Sequence, residues 1–155
     1  MELKNCGAQL LCADIRSFEE RYKLSLPEDY KSFLLSTNGG TIKGFYVTPE
    51  FIETNPETGE EIKQSANVQK ILALEKAGKI YNNILDEPVL PAGYLPIAID
   101  PFGNNFVICT IIDSDYGSVW FANHELWDYK TGFWVLSRIC DTFSDFLASL
   151  VIYEE

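Results

Sequence analysis

Histidine is nearly absent from this sequence: His124 is the only one in 155 residues, and it lies far along the chain from every cysteine. A Ser-His-Asp or Cys-His set therefore has one base to draw on, and no catalytic cysteine motif surrounds Cys6, Cys12, Cys109 or Cys140. The spacing C-x-x-C is missing, so zinc is not indicated, and four reduced thiols, several of them buried, are expected. Neither G-x-x-x-x-G-K-S/T nor G-x-G-x-x-G occurs, so no phosphate cradle is visible. The run "DPFGNN" (100–105) lacks the alternating oxygen ligands and closing acid of a calcium loop and reads as a turn between strands. No catalytic residue, no metal site and no cofactor are expected. Carboxylate pairs are available almost anywhere in a chain with 23 acids, so they do not argue for acid–base catalysis.

Long apolar runs are absent too. No stretch of about 18 apolar residues exists to span a membrane. The opening "MELKNCGAQLLCADIRSFEERY" carries acids and no cleavable apolar segment, so no signal peptide is read and a cytoplasmic location is expected. Basic residues are few, 12 against 23 acids, for a net charge of −11. The imbalance is local. Residues 1–49 hold six acids and six bases, residues 50–99 eight and four, and residues 100–155 nine and two. Direct nucleic-acid binding is thereby disfavoured, because phosphates demand basic clusters. The surplus suits either a basic protein partner or plain solubility.

What is present is enough for one globular domain over residues 1–155. The chain is 46% hydrophobic, and at this length folding buries about two-thirds of the unfolded surface. Asp14 caps a first helix whose stripe is Ile15, Phe18 and Tyr22. In "LPEDYKSFLLSTNGG" (26–40), Pro27, Glu28 and Asp29 suit a helix start, Leu26, Tyr30, Phe33, Leu34 and Thr37 share one face, and Asn38 and Gly39 suit its close. "TIKGFYV" predicts a strand with a bulge at Gly44, and residues 48–65 a polar loop or irregular hairpin. "ANVQKILALEKAG" (66–78) predicts a helix ended by Gly78. Then "LPIAID", "NFVICTII" and "GSVWFAN" read as an antiparallel meander, "GFWVLSRI" as a further strand, and 141–153 as a closing helix capped by Asp141. The class is α+β, a mostly antiparallel sheet with N-terminal and C-terminal helices packed against it.

One region is rich in potential contacts. Tyr116, Trp120, Phe121, Trp127, Tyr129, Phe133 and Trp134 crowd residues 116–134, with Asp113, Asp115, Glu125 and Asp128 close by or interleaved. This is either an aromatic-rich core or a protein-binding surface.

The stretch "LPEDYKSFLLSTNGG" resembles the signature of the SUKH superfamily. "YLPIAIDPFGNNFVICTI", "GSVWFANHE" and "DTFSDFLASL" follow in that family's order, with the usual glycine-rich turn reading "PFGNN" here. The likeness covers most of residues 14–150 and lapses over 49–90. It implies a non-enzymatic binding protein, with Pro27, Tyr30, Phe33, Gly39 and Gly40 as fold-defining residues. Bacterial members are mostly immunity proteins that bind and block a cognate polymorphic toxin, often a nuclease; others are cell-wall-synthesis regulators or interaction domains. An immunity protein with a basic toxin as partner is thus expected; the alternatives are a cytoplasmic scaffold or regulator and, more distantly, an enzyme. Partner contacts are expected at Glu57, Glu60 and Glu61 on the polar loop and at Asp113 and Asp115 on the tight turn, with Tyr116, Trp127 and Tyr129 as aromatic anchors.

Overall fold

The computed structural model describes residues 1–153; Glu154 and Glu155, two of the acids counted above, lie outside the described residues. In chain order the elements are β1 (Glu2–Lys4), α1 (Cys12–Tyr22), α2 (Glu28–Ser36), β2 (Gly40–Lys43), β3 (Tyr46–Val47), β4 (Phe51–Thr54), β5 (Glu61–Gln64), β6 (Lys70–Ile71), α3 (Leu74–Asp86), β7 (Tyr94–Ile99), β8 (Asn105–Cys109), β9 (Val119–Asp128), β10 (Phe133–Cys140), α4 (Phe143–Ser149) and β11 (Val151–Ile152). Seven strands form one antiparallel sheet in the order β1-β2-β6-β7-β8-β9-β10. β3 pairs with β11 and β4 with β5 as two small ladders. The protein is α+β, as its periodicities predict.

β8 is buried at every residue, and its alternation serves two faces. Phe106 and Ile108 join one core with Ile15 and Phe18 of α1, Tyr30 and Leu34 of α2, and Phe143 and Phe146 of α4. Val107 points the other way, into a smaller cluster with Ala122, Leu90 and Ile84 of α3. The first core is tied by more than packing. Asp29 accepts the Ser144 N–H at 2.9 Å, joining the start of α2 to the start of α4. Glu19 accepts the Leu26 N–H at 2.9 Å and sets the turn between α1 and α2.

Several elements differ from the expectations of local pattern. Residues 66–73 are extended, not helical: the Val68, Gln69 and Leu72 N–H groups donate to Tyr46, Ile99 and Ile97, and β6 lies between β2 and β7. A short apolar run at i, i+3, i+4 fits either state, and here the sheet took it. The helix follows instead at 74–86, with Leu74, Ala77, Tyr81 and Ile84 buried. Gly78 lies inside α3 rather than at its end, because Phe18 and Tyr22 of α1 press on it; an added Cβ would lie 2.8 Å from both side chains. Asp14 sits within the first turn of α1 and accepts the Leu11 N–H at 2.7 Å. Thr142, not Asp141, caps α4, accepting the Asp145 N–H at 3.0 Å. α4 ends at Ser149, and Val151–Ile152 pairs with β3. Gly44, at φ +106°, splits the expected single strand into β2 and β3. The polar segment forms the β4–β5 hairpin.

The exit from α2 also differs in kind. The helix ends at Ser36, with Thr37 extended and its N–H donating to Phe33 at 2.7 Å. Gly39 comes two residues later, at φ +68°, where a Cβ would lie 2.5 Å from the Ala73 nitrogen and 2.6 Å from the Ile71 carbonyl oxygen. It is required both by conformation and by the close approach of the 71–73 backbone. Gly39→Ala is therefore expected to cost about 3 kcal/mol, strain and overlap together, measured by urea unfolding. Gly59→Ala is the control: at φ +75° with nothing within 4 Å, it should cost about 1 kcal/mol. Equal effects would show that crowding at Gly39 is unimportant.

Tyr30 is wholly buried, and its hydroxyl has no hydrogen-bond partner among the described residues. Burial pushes its ionisation well above the usual tyrosine range. Tyr30→Phe should leave the melting temperature unchanged or raise stability by up to about 1 kcal/mol, and a clear loss would reveal a partner for that oxygen.

Candidate functional site

The β4–β5 hairpin lies beside the far end of the large sheet. Phe51 packs its ring 5.2 Å from that of Phe121, and the Asn123 amide donates to Glu53 at 3.1 Å. Glu53 is only 4% exposed, and its other oxygen accepts from Gln64. These contacts hold the hairpin against β9 and β10 and leave a groove of about 450 Å³ between them. One bank is Ile52, Thr54 and Pro56; the other is β10 from Phe133 to Arg138. Asp128 and Thr131 of the β9–β10 turn close one end.

The expected partner residues fall in three places. Glu57, Glu60 and Glu61 are exposed at the tip of the β4–β5 hairpin, next to Pro56 on the groove's bank. Trp127 and Tyr129 flank Asp128 at the same end, 37% and 79% exposed. None of these five lines the groove itself; their chain neighbours Pro56 and Asp128 do. Asp113, Asp115 and Tyr116 lie on the β8–β9 loop, with Asp113 exposed and Asp115 half-buried. Asp115 is engaged: Arg138 donates to it at 2.6 Å and to Asp141 at 2.9 Å, and these two carboxylates raise the guanidinium pKa, Asp141 more strongly. The Arg138 guanidinium also lies 5.6 Å from the centre of the Trp120 ring. Tyr116 turns toward the helices; burial raises its hydroxyl pKa, against the pull of Lys31.

The aromatic region is thus divided. Phe121 is core, while Trp120, Phe133 and Trp134 are half-buried. Trp134 stands edge-on between His124 and Trp127, each ring centre 6.1 Å away. His124 has a local role: its Nδ1 lies 2.6 Å from Asn104 Oδ1 and so carries its proton toward that oxygen, which also accepts the His124 backbone N–H. The groove residues that pattern reading did not single out are Ile52, Thr54, Pro91, Thr131, Val135, Leu136, Ser137 and Arg138. Only the lone serine in "FWVLSRI" hinted at them.

Among the described residues, no three His, Cys, Asp or Glu side chains cluster as a metal site. No helix there is long and apolar enough to cross a membrane. All four thiols are free, Cys6 and Cys12 exposed, Cys109 buried and Cys140 half-buried. Burial raises the Cys109 and Cys140 thiol pKa values, and burial with Cys109 alongside pushes Tyr94 up to about 12. What the surface offers is a groove, exposed aromatic rings and several carboxylates that form no ion pair among the described residues.

The geometry therefore defines an α+β protein with an open groove between its β4–β5 hairpin and β10. The chain belongs to the SMI1 / KNR4 family (SUKH-1), whose model matches residues 10–149. Among curated proteins none matches the chain. The thiols provide a check on the fold around the site. At pH 8 an aromatic disulfide reagent should label Cys6 and Cys12 quickly and Cys109 and Cys140 slowly, with all four reacting in denaturant. Labelling of Cys109 as fast as Cys6 would contradict the burial of β8.

Proposed function

We propose that this protein is a cytoplasmic immunity protein that neutralises a cognate polymorphic toxin by stoichiometric binding. Membership in the SUKH-1 family supports a binding role over a catalytic one. The observation that carries the reading is the meeting of two hairpins. The tip bearing Glu57, Glu60 and Glu61 and the turn bearing Trp127, Asp128 and Tyr129 converge on one groove. Aromatic anchors ringed by carboxylates suit a basic protein surface, such as the phosphate-binding cleft of a nuclease. Electrostatic attraction would speed encounter, and the rings would slow escape.

The test is co-expression with the toxin domain encoded beside this gene. Restored growth and a 1:1 complex are expected. Absence of both would replace this reading with that of a regulatory scaffold. Against that toxin, Glu57→Lys/Glu60→Lys/Glu61→Lys should slow association about tenfold at low salt and flatten its salt dependence. Trp127→Ala should instead speed dissociation, at a cost of about 2 kcal/mol. Asp113→Lys is the cleaner reversal on the β8–β9 loop, since Asp115 is committed to Arg138. Association indifferent to salt and to the triple reversal would remove the electrostatic part.

A further inference from the structure

The small ladder of β3 and β11 is open along its outer side. β11 pairs with β3 through Val151↔Val47 and Ile152↔Tyr46, and no other strand runs beside it among the described residues. The Tyr153 N–H donates to the Phe45 carbonyl at 2.7 Å. Residue pairs of an antiparallel ladder alternate between bonded and non-bonded, so that bond turns the Ile152 N–H and C=O away from β3. Neither group has a hydrogen-bond partner among the described residues. An edge of this kind is a template for pairing with another chain.

The side chains along this edge are uncovered as well. Phe45, Val151, Ile152 and Tyr153 are 50%, 59%, 47% and 58% exposed. The Phe45 and Tyr153 rings meet edge to face with centres 5.6 Å apart, and strand alternation puts Val151 on the same face. Residues 44–47 and 151–153 carry no charged side chain, in a chain of net charge −11. A basic partner has nothing to pair with there, whereas two copies that repel each other elsewhere can meet at a neutral place. The four side chains expose roughly 400 Å² per copy, about half of the roughly 800 Å² per partner of a stable complex. An area of that size suits a weak, concentration-dependent contact.

We propose that β11 pairs antiparallel with β11 of a second copy of this chain, about a two-fold axis at Ile152, to make a four-stranded sheet β3-β11-β11-β3. The symmetry needs only one residue from each side. Each Ile152 N–H donates to the Ile152 carbonyl of the other copy, so both sets of unpaired groups are satisfied at once. Val151 of each copy then lies opposite Tyr153 of the other, a β-branched–aromatic pair beside the Phe45 ring. A dissociation constant on the order of 100 µM fits a contact of this size. The contact uses none of the residues assigned above to toxin binding, so the two readings can fail separately.

The test is sedimentation of the intact protein between about 10 µM and about 1 mM, over which monomer should give way to dimer. Salt separates this contact from charged ones. Raising it from about 0.05 M to about 0.5 M should tighten the dimer, because screening relieves the repulsion between two acidic copies. Ile152→Pro removes the outward N–H and spares the bond from Tyr153 to Phe45, and proline is tolerated on such an edge. It should weaken dimerisation at least about tenfold and leave the melting temperature of the dilute protein unchanged. Val151→Lys should do the same by placing a charge on the exposed edge. In the unaltered protein, exchange of the Ile152 amide should be slower in concentrated than in dilute samples, a readout that needs no variant. A monomer at every concentration would leave β11 to a foreign partner and overturn self-pairing. So would a dimer that salt dissolves, one that both variants leave intact, or one in which the Ile152 amide exchanges as fast as in dilute protein.

Discussion

Asn38 and Gly39 join parts of the chain that are distant in sequence, at a point with no room for another side chain. The Asn38 amide donates to the Ala8 carbonyl at 2.9 Å and accepts the Leu74 N–H at 2.9 Å, and its own carbonyl accepts the Gly7 N–H. The start of α3 has no side-chain cap of its own, so the buried amide of Asn38 serves in its place. Gly39 lets the backbone at 71–73 pass against it. Gly40 is tight in a similar way, since a Cβ there would lie 2.9 Å from the Lys4 carbonyl oxygen. The two glycines after α2 are thus less a helix stop than a junction where the N-terminal segment, β2, β6 and α3 meet.

The junction has consequences across the sheet. With β2 held between β1 and β6, the strands that follow can only add outward, and the meander β7 to β10 runs to the opposite edge. The middle is covered on both faces, so the fully apolar alternation of β8 is satisfied in place. The last strand, β10, pairs with no further strand among the described residues, but the β4–β5 hairpin lies along its outer side. Both ends of the sheet are thereby protected: β1 is three residues long and bears Glu2 and Lys4, and β10 is flanked by the β4–β5 hairpin.

The residues that make the fold and those that make the groove are largely different. Tyr30, Asp29, Asn38 and Gly39 serve the helices and the junction. The groove draws on residues 52–56, which lie where the family-like motifs lapse, and on the β9–β10 hairpin. A scaffold arranged this way can change its acidic tip and its groove without disturbing the junction.

Local pattern sufficed wherever the deciding contacts were near in sequence. The stripes of α1 and α2, the turns around Asp100 and Gly117, and the meander of β7 to β9 were all legible from periodicity and turn residues. The uneven charge was legible too, because it depends on composition alone. Long-range contacts settled the rest. Residues 66–73 became a strand because β2 and β7 offered hydrogen bonds on both sides, and Gly78 stayed within a helix because α1 packs there. Asp115 looked as free as Asp113 until Arg138, 23 positions away, was brought to it. The groove has no signature in any single segment, for its two banks lie about eighty positions apart in the chain and their meeting depends on packing between Phe51 and Phe121 and on the Asn123–Glu53 hydrogen bond. Short-range periodicity reports which side of an element is buried, and only the packing of distant elements decides which elements lie side by side and where a groove is left.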